Sequence, residues 1–316
     1  MKIRSSICVW TVMSLLAIAP ARAGTALVGN ENGASISLID TDKDVVIGEI
    51  KTGGKPRGTA IDARRGIAYV SDQASNGLMV VDIAKRTVIK RIDLGESPEG
   101  VYISPDGKLV TAAVELSNSV AFIDTARDEV AFRVKIRGEN PEHAVFSPDG
   151  RFVYVGAEED DKLEIIDVAG QKLLTQLQVG TRPRGIAFTP DGAKAYVACE
   201  RADAVYVIDA REHRILRIIK AGQRSNGLTM HPDGKSVYLT NGGDGTVMVI
   251  DTASDQVTAT IKVGARPWNM AITRDGGKLY VANGRSNSVS VIDTVKKILI
   301  KDVPVGTMPW GVQILD

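Results

Sequence analysis

Cysteine is nearly absent. The 316 residues hold two, Cys8 and Cys199. Cys8 lies in a leader-like N-terminus, so after processing only Cys199 remains and no internal disulfide can form. The three histidines, His143, His213 and His231, form no cluster suited to a metal or a haem. No GxSxG elbow, Gly-rich phosphate loop or Cys pair is present, so no catalytic motif and no cofactor is indicated. Charge of neither sign dominates. Setting Lys2, Arg4 and Arg22 aside from the 39 basic residues leaves 36 against 38 acidic ones, a balance of −2. That balance argues against nucleic acid as a partner. The apolar run 7–18 is too short to cross a bilayer.

That run belongs to a targeting segment. Lys2 and Arg4 precede it, and Ala21-Arg22-Ala23 follows as an AxA cleavage site. The expectation is a signal peptide over 1–23, cleaved after Ala23, and a periplasmic product over 24–316. No Cys follows the apolar run, so neither a lipid nor a membrane anchor is expected.

What is present is a repeat. VGARPWNMAITRDGGKLYVANGRSNSVSVIDT (263–294) reads as a Pro turn and two apolar runs split by an Asp-Gly turn, then a third run ending in Ile-Asp. The terminal aspartate recurs at Asp40, Asp82, Asp124, Asp167, Asp209, Asp251 and Asp293, with spacings of 42 or 43. The turn prolines follow the same ladder at Pro56, Pro98, Pro141, Pro183, Pro267 and Pro309, with Ser225 substituting once. This period with four short strands per unit predicts an all-β, seven-bladed β-propeller forming one domain. The chain starts on the second strand of a unit, ALVGN, and ends on a lone first strand, GVQIL. The C-terminal strand is therefore expected to complete the N-terminal blade and close the ring.

Strand polarity sends the VGxxPxG loops and the loops after YVxN to one face, and the PDG and ID-T turns to the other. On the second face Asp and Gly look structural. The first face breaks the repeat. The slot after the turn proline holds Arg57, Glu99, Glu142, Arg184, Asn226, Trp268 and Trp310, and the next position is Gly except at His143 and Asn269. Lys55, Arg182, Arg224 and Arg266 precede the proline position, and Glu96 and Glu139 lie two before it. The expectation is a channel mouth with an acidic side, a basic side and an aromatic corner. Glu99 and Glu142 are better read as neutralised by the flanking Arg57 and Arg184 than as an acid–base pair. His143 reads as hydrogen-bonded, with a base the sharper alternative. Cys199 stands where other units have Asn and reads as a small buried residue.

LYVANGRSNSVSVIDT, VYLTN and AYVAC, joined by VGxxPxG, resemble YVTN-type β-propeller repeats over essentially all of 24–316. Seven such repeats behind a signal peptide look most like a periplasmic propeller group associated with pyrroloquinoline quinone (PQQ)-dependent alcohol catabolism. The resemblance implies a place beside a quinoprotein dehydrogenase system, and neither a reaction nor quinone binding. Ser225 for Pro, and Val114, Ala157 and Cys199 for the Asn of YVxN, depart from the repeat. Three classes of function stay open. One is a non-catalytic periplasmic binding or accessory protein offering the mouth to a small molecule or a protein partner. A propeller enzyme, lactonase-like or an oxidoreductase accessory, is the second, and a cell-envelope interaction module the third.

Overall fold

The computed structural model describes residues 24–316. The leader expected over 1–23, the expected cleavage site and Cys8 lie outside them. Among the described residues there are 28 strands and one short 3₁₀ turn, Glu115–Ser117. The strands form seven four-stranded antiparallel sheets. Six blades follow chain order, over 56–93, 98–135, 141–178, 183–220, 225–262 and 267–304, here called blades 2 to 7. Blade 1 is composite. Its inner strand, Pro309–Leu315, pairs with Thr25–Asn30 in antiparallel register, Val28 facing Val312 and Leu27 facing Gln313. The ring closes as the repeat predicts, which satisfies the backbone of two strands that would otherwise be edges.

Each blade alternates side chains between its two faces, and both faces are covered by neighbouring blades. Hence the core consists of seven apolar clusters, each bridging two adjacent blades. The outermost strand of each blade is largely exposed.

The far rim is a repeated latch. In most blades the Asp ending the third strand turns its carboxylate back on the amides two and three residues on: Asp40 Oδ1 accepts from Asp42 at 3.0 Å and Lys43 at 2.9 Å, and Asp124, Asp209 and Asp293 act alike, while Asp82 and Asp251 accept only from the amide three on. In several blades the Tyr of YVxN reaches the left-handed residue of the next blade's turn. Tyr196 binds Asp255 at 2.7 Å, Tyr154 binds His213 at 2.8 Å, and Tyr280 binds Asp44. Lysines Lys194 and Lys278 brace Asp255 and Asp44. His213 is thus a latch residue, and His231 pairs with Asp233 in its PDG turn at 2.6 Å. Cys199 is fully buried, and burial pushes its thiol up to about 12, so it stays an unreactive packing residue.

Candidate functional site at the channel mouth

Every inner strand begins with a bulge. In blades 2 to 7 pairing with the second strand slips between the first residue and the one three on, as from Pro98 to Val101 and from Pro267 to Met270, so the slot residue and its follower escape the ladder. In blade 1 the slip runs from Pro309 to Gly311 and frees Trp310 alone. The follower is Gly where inner strands converge. A Cβ on Gly58 would sit 2.5 Å from the carbonyl oxygen of Glu99, and one on Gly100 2.7 Å from that of Glu142.

A second ring stands beside the first. The residue after YVxN donates its amide to the carbonyl of the residue before the proline in every blade, as in Glu31 to Met308 at 2.9 Å and Glu200 to Arg182 at 2.8 Å. Six of those carbonyl residues hold left-handed backbones: Ser97, Asn140, Arg182, Arg224, Arg266 and Met308. This ring carries Glu31, Gln73, Glu115, Glu158, Glu200, Gly242 and Gly284. It escaped the sequence reading, although its signal was available. The residue one past YVxN varies from blade to blade just as the slot does.

Over blades 1 to 5 the two rings interlock as ion pairs. Arg57 Nη1 donates to both oxygens of Glu99, at 2.5 and 2.6 Å, and Nη2 reaches Glu31 at 3.2 Å. Arg184 spans Glu142 at 3.0 Å, Glu158 at 2.6 Å and Glu200 at 2.9 Å. Arg182 adds pairs to Glu158 at 2.8 Å and Glu200 at 3.2 Å, and Arg266 one to Glu200 at 2.7 Å. Six carboxylates, with Glu115, thus meet four guanidiniums. The surplus acid shows in the titration. Burial, then the Glu142 charge, pushes Glu158 up to about 8 and holds Glu99 well above the usual carboxylate range. Burial opposes ionisation of Glu142 too, but Arg184 and its neighbours overcome it and keep that carboxyl low. The carboxylates of Glu99, Glu115 and Glu142 converge to within 4.8 Å, which is ligand spacing for a cation. Glu99 is already held there by Arg57 and Gln73, and Glu115 by Ser97 at 2.7 Å.

A septum lies below. Trp310 of blade 1 crosses the axis and stacks on His143 of blade 4, centroids 5.8 Å apart at 14°. Arg57 lies 6.0 Å from the same indole. His143 Nδ1 bonds Tyr102, while Nε2 is buried without a partner. Burial takes the imidazole down to about 4, so it is neutral at pH 7. Trp310 and His143 are 5% and 1% exposed.

Blades 6 and 7 differ. Their second-ring residues are glycines, and the space is used. A Cβ on Gly284 would meet the Trp268 ring at 2.5 Å, and one on Gly242 the Arg266 guanidinium at 2.9 Å. Arg266 lies 5.9 Å from the centroid of the half-exposed Trp268, and its Nη1 is buried with no partner. Asn226 is buried beside them with its Nδ2 unpaired. Arg224 and Arg285 stand exposed on the same quadrant.

The model of the YNCE-like beta-propeller family matches residues 103–316. This chain belongs to that family. No curated protein matches it. Among solved structures, hydrazine synthase from Kuenenia stuttgartiensis superposes with a TM-score of 0.78 at 24% identity, covering 85% of this chain and 92% of that one. A functionally unknown protein from Desulfotomaculum acetoxidans DSM 771 superposes with a TM-score of 0.80 at 18% identity, covering 92% and 98%. At these identities the likeness shows the fold alone.

In this YNCE-like propeller all eight residues singled out from sequence lie at the mouth or its floor, in different surroundings. Arg57, Glu99, Glu142 and Arg184 join the buried ionic arc. His143 and Trp310 form the septum. Trp268 is half-buried and Asn226 buried in the blade 6–7 quadrant. The aromatic corner is divided, because Trp310 turns across the channel while Trp268 stays under Arg266. Glu96 and Glu139 are exposed and add to the outer edge.

Proposed function

We propose that this chain is a non-catalytic periplasmic binding or accessory propeller that takes a flat or apolar, carboxylate-bearing ligand at the blade 6–7 quadrant of its mouth. The observation that carries this reading is the unpartnered Nη1 of Arg266 beside the half-exposed Trp268. An indole supplies stacking area, and Arg266 Nη1, buried without a partner, has a hydrogen bond left to give to a carboxylate. Exposed Arg224 and Arg285 add attraction for an anion. The groups an acid–base enzyme would need are otherwise engaged: Glu142 by Arg184, Glu99 by Arg57, and His143 by Tyr102. The resemblance of the repeats, together with the expected leader, supports a place beside a quinoprotein alcohol dehydrogenase system, and a carboxylated quinone or an aromatic acid fits the chemistry of the quadrant.

Trp10 falls in the leader, so Trp268 and Trp310 are the indoles of the processed protein. Pyrroloquinoline quinone and benzene-1,3,5-tricarboxylate serve as probes. Either should quench tryptophan fluorescence saturably, and Trp268→Ala should weaken binding by about 1–2 kcal/mol, as for an aromatic anchor. Binding unchanged by Trp268→Ala and Arg266→Gln would remove the mouth as the site. A turnover abolished by Glu142→Gln would favour the enzyme reading instead.

A further inference from the structure

Below the septum the channel holds a cavity of about 250 Å³ that shares none of the mouth's ionic residues. Its walls come from the inner strands of blades 1, 2, 3, 6 and 7, and no lining side chain is charged. Apolar surface from Val101, Ile272 and Ile314 alternates with the hydroxyl of Thr59 and the amides of Asn269 and Gln313. Thr59 is buried, and its Oγ1 has no partner. A buried hydroxyl without a partner forfeits the hydrogen bond that would offset its desolvation, so it is ready for a ligand or a water.

Exposure along the wall shows which way the cavity opens. At the mouth end Gly58, Gly100 and Trp310 are buried and Asn269 is half-buried, while Ile272, Gln313 and Ile314, at the far ends of their strands, are all half-buried. The septum therefore narrows one end, and the wider access is from the far rim. The two compartments also differ in chemistry, since one is ionised and the other neutral.

We propose that this cavity is a second binding site, for a small uncharged molecule bearing hydroxyl or carbonyl oxygens on an apolar frame. Mostly apolar walls with a few convergent polar groups characterise ligand sites in general. The volume equals about eight waters, which limits the occupant to on the order of ten heavy atoms. A charged molecule is disfavoured because no counter-charge lines the wall and desolvation would go uncompensated. Thr59, Asn269 and Gln313 fix the oxygens, and the isoleucines cover the carbon frame.

The test uses benzyl alcohol and catechol as neutral probes and benzylammonium and benzoate as charged counterparts. Calorimetry is run in a Trp268→Ala/Arg266→Gln background, which removes both the indole and the guanidinium of the mouth site, so that binding there is distinguished from binding in the cavity. Both neutral probes should bind saturably, at least tenfold more tightly than the charged ones. Thr59→Val, which keeps the shape and removes Oγ1, should weaken them about fivefold, the size of one hydrogen bond. Gln313→Trp, which fills the cavity from its half-buried end, should abolish binding. The proposal is overturned if neither neutral probe saturates, leaving a channel of water alone. Equal binding of the charged probes, or indifference to both Thr59→Val and Gln313→Trp, would overturn it as well.

Discussion

The two rims of the ring are made by the same repeat, yet they use it differently. On the far rim most turn aspartates cap their own backbone, and in several blades a tyrosine reaches one blade further to close a latch. On the mouth rim the backbone recurs just as faithfully, down to the amide–carbonyl bond after each YVxN, while the side chains it presents range over acids, bases, amides, indoles and glycine. Uniform backbone with uniform side chains makes a joint. Uniform backbone with varied side chains makes a site. The mouth then divides again, into an arc whose acidic and basic residues pair with one another and a glycine-cleared quadrant where Trp268 lies beside Arg266, which gives Nη2 to Glu200 and keeps Nη1 without a partner.

The largest expected effect tests what both rims depend on. Deleting 310–316 removes the strand that completes blade 1 and opens two sheet edges, so the protein should lose cooperative unfolding or aggregate. A deletion that melts like the parent would place closure elsewhere.

Next comes the ionic arc. Arg184→Met leaves Glu142, Glu158 and Glu200 without their shared cation, and removing one partner of a buried pair costs about 3–5 kcal/mol. Chemical denaturation should show that loss, and adding Glu158→Gln should recover part of it. If Arg184→Met is as mild as a far-rim change, the arc is not the structural half of the mouth.

The pH dependence should have two limbs with opposite signs. Glu158 is a carboxyl raised to about 8, so the folded state holds its proton above the pH where the unfolded chain releases it. Its stability contribution is full below the ordinary carboxylate range and is lost as pH rises toward 8. His143 is depressed to about 4, so its contribution is present above its ordinary value and is lost as pH falls from there toward 4. Melting temperature measured from pH 4 to 9 should fall at both ends. Glu158→Gln should flatten the alkaline limb and His143→Gln the acid one. A profile that neither variant alters would detach both residues from the fold's proton balance.

The smallest effect belongs to the repeated rim. Tyr280→Phe removes one latch hydroxyl, to Asp44, and should cost about 1 kcal/mol with no change in ligand binding. A loss of binding would mean that the rims are coupled through the blades.

Much of this molecule was legible in its residues. The period of 42 or 43 gave the blade count, the turn chemistry gave the strand polarity, and the polarity sorted the loops onto their rims. The unmatched strands at the two ends predicted closure, and the neutralisation of Glu99 and Glu142 by Arg57 and Arg184 followed from their places on the ring. Such features are local or strictly periodic, and hydrogen-bond geometry enforces them wherever the pattern recurs. Partner choice across the ring is neither local nor periodic. That Trp310 leaves Trp268 to stack on His143 three blades away depends on rotamers and on the width of the channel. That Glu158 and Glu200 share Arg184 with Glu142 depends on how surplus charge distributes once water is gone. The sequence by itself determined the ring and its two rims. Only the tertiary structure decided which mouth residues satisfy each other and which stay free, because that balance is struck among side chains that meet only when the ring is closed.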